Sequence, residues 1–112
     1  ENQQGSCVLK LSGVLDRRLS TLMREEMARQ SLREGVRDII LDLNDVPRMD
    51  SMGVGMLVSA YRSAQARRLA FALVGLSDRA SEILRITGLD NVLPIHATIE
   101  EARQALAAPP AP

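Results

Sequence analysis

The sequence predicts a single α/β domain: a sandwich on a mixed, mostly parallel sheet of four to five strands with about four helices. Three observations carry this. Apolar runs of strand length alternate with longer segments whose apolar residues recur at helical spacing, as in a parallel sheet crossed by helices. Gly13, Gly35, Pro47, Gly75 and Gly88 fall between these segments, where turns belong. The 112 residues suffice for one ordinary core, and with 46% apolar but only 2% aromatic residues that core must be aliphatic.

The elements follow in order. Residues 1–6 are polar and could be the stub of a trimmed strand. Cys7 to Leu11 reads as a strand, and Gly13 and Asp16 mark a turn after it. Leu19, Leu22, Met23, Met27 and Leu32 follow helical spacing, with Gly35 where a C-cap belongs. Val36 to Leu43 is a nearly continuous apolar run, typical of a strand covered on both faces, and Pro47 closes it. A second helix begins near Ser51, carries Val54, Leu57, Val58 and Tyr61 as its apolar stripe, and ends near Arg67 or Arg68. Leu69 to Val74 is another buried strand. Ser77-Asp78 caps a third helix through Ile83, Leu84 and Ile86, which Gly88 ends. Val92 to Ile95 reads as a short strand, with Pro94 favouring an edge. Thr98 followed by Glu101 fits a capping box for a last helix bearing Ile99, Ala102 and Leu106. Residues 107–112 form a disordered, proline-rich tail or a linker.

Composition narrows the function. Fourteen basic and 14 acidic residues cancel, without the basic surplus that neutralises phosphates, so nucleic acid is not an expected partner. Cys7 is the only cysteine and His96 the only histidine, which excludes an internal disulfide, a cysteine metal cluster and a histidine-pair zinc site. A small buried hydrophobe is expected of Cys7, and a neutral, exposed place of His96. Asp42, Asp45 and Asp50, with Asp16, have the oxygen chemistry magnesium prefers. Asp42 lies within a strand, however, and neither metal nor cofactor is expected. Apolar runs fall far short of a membrane span, so no membrane insertion is expected. No signal peptide is visible, and the chain starts at Glu1 rather than methionine, which leaves room for a piece of a larger protein. A cytoplasmic, non-enzymatic domain is the resulting expectation.

The unusual segment is Val46-Pro47-Arg48-Met49-Asp50-Ser51-Met52-Gly53-Val54-Gly55-Met56-Leu57. A strand ends, the chain turns at Pro47, and a polar pair opens a helix containing two glycines. Ser51 suits an N-cap, because its hydroxyl can accept from an unpaired amide one turn in. Gly53 and Gly55 each cost about 1 kcal/mol against alanine in a helix. Either something approaches the backbone there, or the turn is soft, or a plain cap packs tightly on the sheet. Met49, Met52 and Met56 read as an adaptable contact patch around Ser51; the rival is that they fill gaps left by missing aromatics.

Asp50-Ser51-Met52-Gly53-Val54-Gly55 resembles the Asp-Ser-Ser/Thr-Gly-Leu-Gly motif of STAS domains, the sulfate-transporter and anti-sigma antagonist family. Ile39 to Leu43 with Asp45-Val46 is similar to the family's central strand and loop, and Gly13-Val14-Leu15-Asp16 to its Gly-Glu-Leu-Asp turn. Ile86-Thr87-Gly88-Leu89 and Glu100-Glu101-Ala102 are similar to its third-helix exit and last helix. The resemblance runs from Cys7 to Leu106.

It implies a partner switch of the anti-sigma factor antagonist type. Ser51 would be phosphorylated by an anti-sigma factor that is itself a serine kinase. The unphosphorylated protein would bind that kinase, the phosphorylated form would release it, and a metal-dependent serine phosphatase would reset the cycle. Asp16, Asp50 and Gly53 would surround the acceptor, and Met49, Met52, Gly55 and Met56 would meet the partner. Met52 departs from the motif, leaving Ser51 its only hydroxyl. Physically, a phosphate adds about −1.5 to −2 charges. A helix N-terminus tolerates that charge, while a surface matched to a neutral hydroxyl does not. A loss of ~3 kcal/mol weakens binding by more than about a hundredfold. The alternative is a STAS adaptor in a transporter, lipid-trafficking or sensory complex, without phosphorylation.

Overall fold

The computed structural model describes residues 2, 3 and 5–107. In chain order these form β1 (Asn2–Gln3), β2 (Ser6–Ser12), α1 (Arg17–Ser31), β3 (Asp38–Asp45), α2 (Ser51–Ala66), β4 (Ala70–Val74), α3 (Asp78–Ile86), a 3-10 turn (Leu89–Asn91), β5 (Ile95–His96) and α4 (Ile99–Ala107). The sheet runs β1-β2-β3-β4-β5. The short β1 is antiparallel to β2, and every other neighbouring pair is parallel. The predicted α/β fold is therefore the observed one. Of the segment 1–6, Asn2 and Gln3 form β1 and Ser6 begins β2; residues 1 and 4, and residues 108–112 of the expected tail, lie outside the described residues, and Ala107 belongs to α4.

Strand alternation sorts the core into two layers. Cys7, Leu9, Leu11, Ile39, Leu41, Leu43, Phe71 and Leu73 face one way and are covered by α1, α2 and α3 through Met23, Met27, Leu57, Ala60, Ala64 and Leu84. Val8, Ile40, Ala72 and Val74 face the other way, beneath Ala102, Ile99 and Leu106 of α4. The two aromatics meet each other, Tyr61 tilted over Phe71 at a centroid distance of 5.9 Å. Cys7 is buried in β2, and burial pushes its thiol pKa up.

Several boundaries depart from expectation. The first helix closes at Leu32, so Gly35 lies in the following turn and is not its C-cap. Leu22 and Leu32, expected on the core face, are exposed: Leu32 is the C-cap of α1, and Leu22 falls well outside the face that Ser20, Met23 and Met27 turn inward. On α2 the buried stripe is Gly53, Val54, Leu57, Ala60 and Ala64, with Val58 and Tyr61 half-buried at its margin. Ile86 is exposed, and Leu84 alone of the predicted α3 trio is fully buried. The expected strand at Val92 to Ile95 is displaced to Ile95–His96: after the 3-10 turn that follows Gly88 (φ 76°), Val92 and Leu93 still donate back to Leu89 O. His96 is half-buried rather than exposed. The Thr98 hydroxyl does accept from Glu101 N (3.1 Å), while the Glu101 carboxylate reaches back to Ala97 N (3.3 Å).

Candidate functional site

The carboxyl ends of β2 and β3 lie side by side in a parallel ladder and release two loops that travel together to two helix starts. Gly13 N donates to Asp45 O (3.0 Å), Leu15 N to Arg48 O (3.0 Å) and Asp50 N back to Leu15 O (3.3 Å), and Leu15 and Met49 form an isolated parallel bridge. Leu15 at 0% and Met49 at 5% exposure anchor both loops in the core. Met49 is therefore an anchor beneath the site, not part of a contact patch. Ser77 adds a third tie: its hydroxyl donates to Pro47 O (2.9 Å) and accepts from Ala80 N, so one side chain caps α3 and pins the loop before α2.

Each loop ends in an aspartate that caps a helix. Asp16 accepts from Leu19 N through Oδ1 (3.1 Å), and Asp50 accepts from Gly53 N through Oδ1 (2.8 Å). Both sit in extended backbone, as an N-cap requires. The cap of α2 is thus Asp50, not Ser51. Asp has the shorter path, since its carboxylate already stands one residue before the first helical turn. Ser51 becomes the first helical residue, is exposed, and its hydroxyl engages in no hydrogen bond among the described residues.

The two motif glycines differ. A Cβ on Gly53 would stand 2.0 Å from the Leu15 carbonyl oxygen, so the close approach is real and the approaching group is the neighbouring loop. A Cβ on Gly55 would meet nothing within 4 Å, and that residue is exposed. Packing accounts for the first glycine and leaves the second without a steric reason.

Between the helix starts lies a shallow depression bordered by Asp16, Arg17, Arg18, Leu22, Asp50 and Met52. Leu22 and Met52 are 52% and 49% exposed, an apolar pair in a charged surround. Of the predicted residues, Asp16, Asp50, Ser51 and Met52 come together at this end of the domain. Gly53 lies beneath them, Gly55 one turn further on, and the half-buried Met56 faces a different groove, between α1 and α2. Sequence analysis read Leu22 as part of the helical apolar stripe and did not assign Arg17 and Arg18 to the site. Spacing alone does not single out Leu22, since adjacent helical residues can both be buried, as Gly53 and Val54 are.

The acidic residues weighed for magnesium are engaged separately. Asp42 accepts from Asn44 N (3.0 Å) and Nδ2 (2.7 Å), and Asp45 pairs with Lys10 (3.2 Å). Among the described residues no three His, Cys, Asp or Glu converge on a metal position, and no helix is long and apolar enough to cross a membrane.

Comparison with known proteins yields a consistent set. The STAS domain profile matches residues 1–102. An anti-sigma-B factor antagonist from Listeria monocytogenes is 33% identical over 85 residues, covering 76% of this chain and 74% of its own length. The crystal structure of a Thermotoga maritima protein, provisionally named an anti-sigma factor antagonist, superposes with a TM-score of 0.86 at 26% identity over 96% of this chain and 92% of that one. The phosphorylated form of the Bacillus cell-fate determinant SpoIIAA superposes with a TM-score of 0.67 at 25% identity, covering 92% of each chain.

Proposed function

The chain belongs to the STAS domain family, and we propose that it serves as an anti-sigma factor antagonist whose binding is switched by phosphorylation of Ser51. The carrying observation is the division of labour at the start of α2. Asp50 supplies the cap, so the Ser51 hydroxyl is exposed and uncommitted while its backbone is held at a fixed point of the helix. A residue that capped the helix would have to surrender that bond to be modified; Ser51 does not.

The chemistry follows from position. A kinase delivers the γ-phosphoryl group of ATP to the Ser51 oxygen, the hydroxyl proton leaves, and ADP departs. The new dianion stands at the positive end of α2, which stabilises it by roughly 0.3–1 kcal/mol at an exposed site. It also stands beside Asp50, whose carboxylate is tied to Gly53 N and cannot swing away without uncapping the helix. The fold therefore tolerates the modification while the local surface turns strongly negative. Leu22 and Met52 offer an apolar contact beside that charge, and Arg17 and Arg18 offer planar donors for a partner's carboxylates. In this reading the partner is an anti-sigma factor with serine kinase activity, a metal-dependent phosphatase restores the hydroxyl, and the exchange takes place in the cytoplasm. The name of the phosphorylated Bacillus structure adds support from a similar fold.

The test mixes the protein with a candidate anti-sigma kinase and ATP. Wild type takes up one phosphate, located to Ser51 by mass spectrometry, and Ser51→Ala takes up none. Ser51→Ala binds the kinase and stays bound, whereas Ser51→Asp binds more than about a hundredfold more weakly, a difference of ~3 kcal/mol. Equal binding by both variants, with wild type unlabelled, rejects the switch in favour of an adaptor.

A further inference from the structure

Helices α1 and α2 do not close on each other along their full length. Between them is a cavity of about 210 Å³ that no step of the proposed switch uses. Its apolar lining is Met23 and Met27 from α1, Met56, Ala60 and Ala64 from α2, and Ile39 from the sheet beneath. Alanines on the facing helix hold the two backbones close without filling the space, and unbranched methionines adapt to whatever enters. An engineered apolar cavity of about 150 Å³ accommodates benzene, so this one has room for a larger apolar body.

The lining has one sign of charge. Arg24 of α1 and Arg67 at the end of α2 are the charged residues among those lining the cavity, and Ser59 and Ser63 of α2 line it too. The Arg67 guanidinium crosses to the Ser31 hydroxyl on α1 and closes one end. Arg24 has no carboxylate partner among the described residues; the carboxylate of Glu26 is taken by Arg29 and Gln30. An apolar lining with two guanidinium groups is complementary to a molecule with a hydrocarbon body and one anionic head.

We propose that the α1/α2 groove is a binding site for a small amphipathic carboxylate, of the class of a medium-chain alkanoic acid, its tail among Met23, Met27 and Met56 and its head between Arg24 and Arg67. The groove flanks α2 from Met56 to Ser63, beyond the first turn that bears Ser51, so the test needs neither kinase nor phosphate and its outcome is separate from the role of Ser51.

Labelling the five methionine methyl groups with carbon-13 gives a direct NMR readout. Titration with octanoate shifts the Met23, Met27 and Met56 methyls saturably and leaves Met52, at the exposed helix start, unmoved. Removing methylenes weakens binding by up to about fourfold each, the value of a buried CH₂. The neutral analogue 1-octanol binds at least about tenfold more weakly, the least expected for a charge-assisted contact. Arg24→Gln combined with Arg67→Gln brings octanoate down to that level. Ser63→Phe, a substitution at an exposed position, plugs the groove and abolishes the shifts while the circular dichroism spectrum stays that of wild type. The proposal is overturned if the three methyls do not respond at millimolar octanoate, if all five drift without saturation, or if octanol binds as well as octanoate. It is equally overturned if the methyl positions depend on protein concentration alone, which would assign the groove to a second copy of the chain.

Discussion

The starts of α1 and α2 are built alike and differ in the residues that follow. Each follows a parallel strand, each is capped by an aspartate three residues before the amide it binds, and the loops before them are bonded to each other. After Asp16 come Arg17 and Arg18, which place positive charge at the end of a helix that the macrodipole already makes positive. After Asp50 come Ser51, Met52 and Gly53: a free hydroxyl, an exposed apolar side chain, and a residue with no side chain where the other loop presses in. The contrast teaches that the cap is shared scaffolding and that the specific chemistry lies in the residues after it.

Breaking the scaffold gives the largest expected effect. Gly53→Ala drives a methyl group into the Leu15 carbonyl, and its backbone partners leave little room to yield. A loss of about 3 kcal/mol, the upper end for overpacking, is expected in urea unfolding. An unchanged midpoint would mean that the two loops are not in close contact. Removing the caps comes next. Asp50→Ala and Asp16→Ala should each lose about 1 kcal/mol. They should differ in reach: Asp50→Ala alone also alters phosphorylation of Ser51, because it loosens the turn that presents the hydroxyl. Equal effects of both on phosphorylation would erase the distinction between the two starts. Gly55→Ala acts in the opposite direction. With open space at Cβ it should gain about 0.5–1 kcal/mol of stability, and a loss instead would show that Gly55 has a structural duty in the isolated domain. Ser51→Ala should be nearly silent, within about 0.5 kcal/mol, because its hydroxyl caps nothing. A loss near 1 kcal/mol would return the cap to Ser51.

The sheet was legible because its signal is redundant. Ile39 to Leu43, Asp42 apart, carries apolar residues on both faces, and Phe71 to Val74 repeats the pattern, so a one-residue error leaves the strand in place. Single-residue assignments were less secure. Asp50 and Ser51 are both good caps and adjacent, and local chemistry cannot rank them; the ladder from Leu15 to Asp50 decides, and that contact spans 35 residues of sequence, beyond any local pattern. Met49 illustrates the same limit. It belongs by proximity to the exposed Met52, yet its bridge to Leu15 turns it into the core. Leu22, conversely, looked like core by spacing and proved to be surface beside the site. Position in the fold was readable; which way a boundary side chain turns depended on a neighbour far along the chain.

The Leu15 carbonyl group accepts from Asp50 N and leaves no space above Gly53. One peptide unit thus fastens both helices at the same point, like a rivet through two plates. A visitor leaning on either helix loads both, and this end of the domain resists bending. Under the proposed switch, a phosphate at the neighbouring hydroxyl would be read as charge, because there is little slack in which to read it as motion.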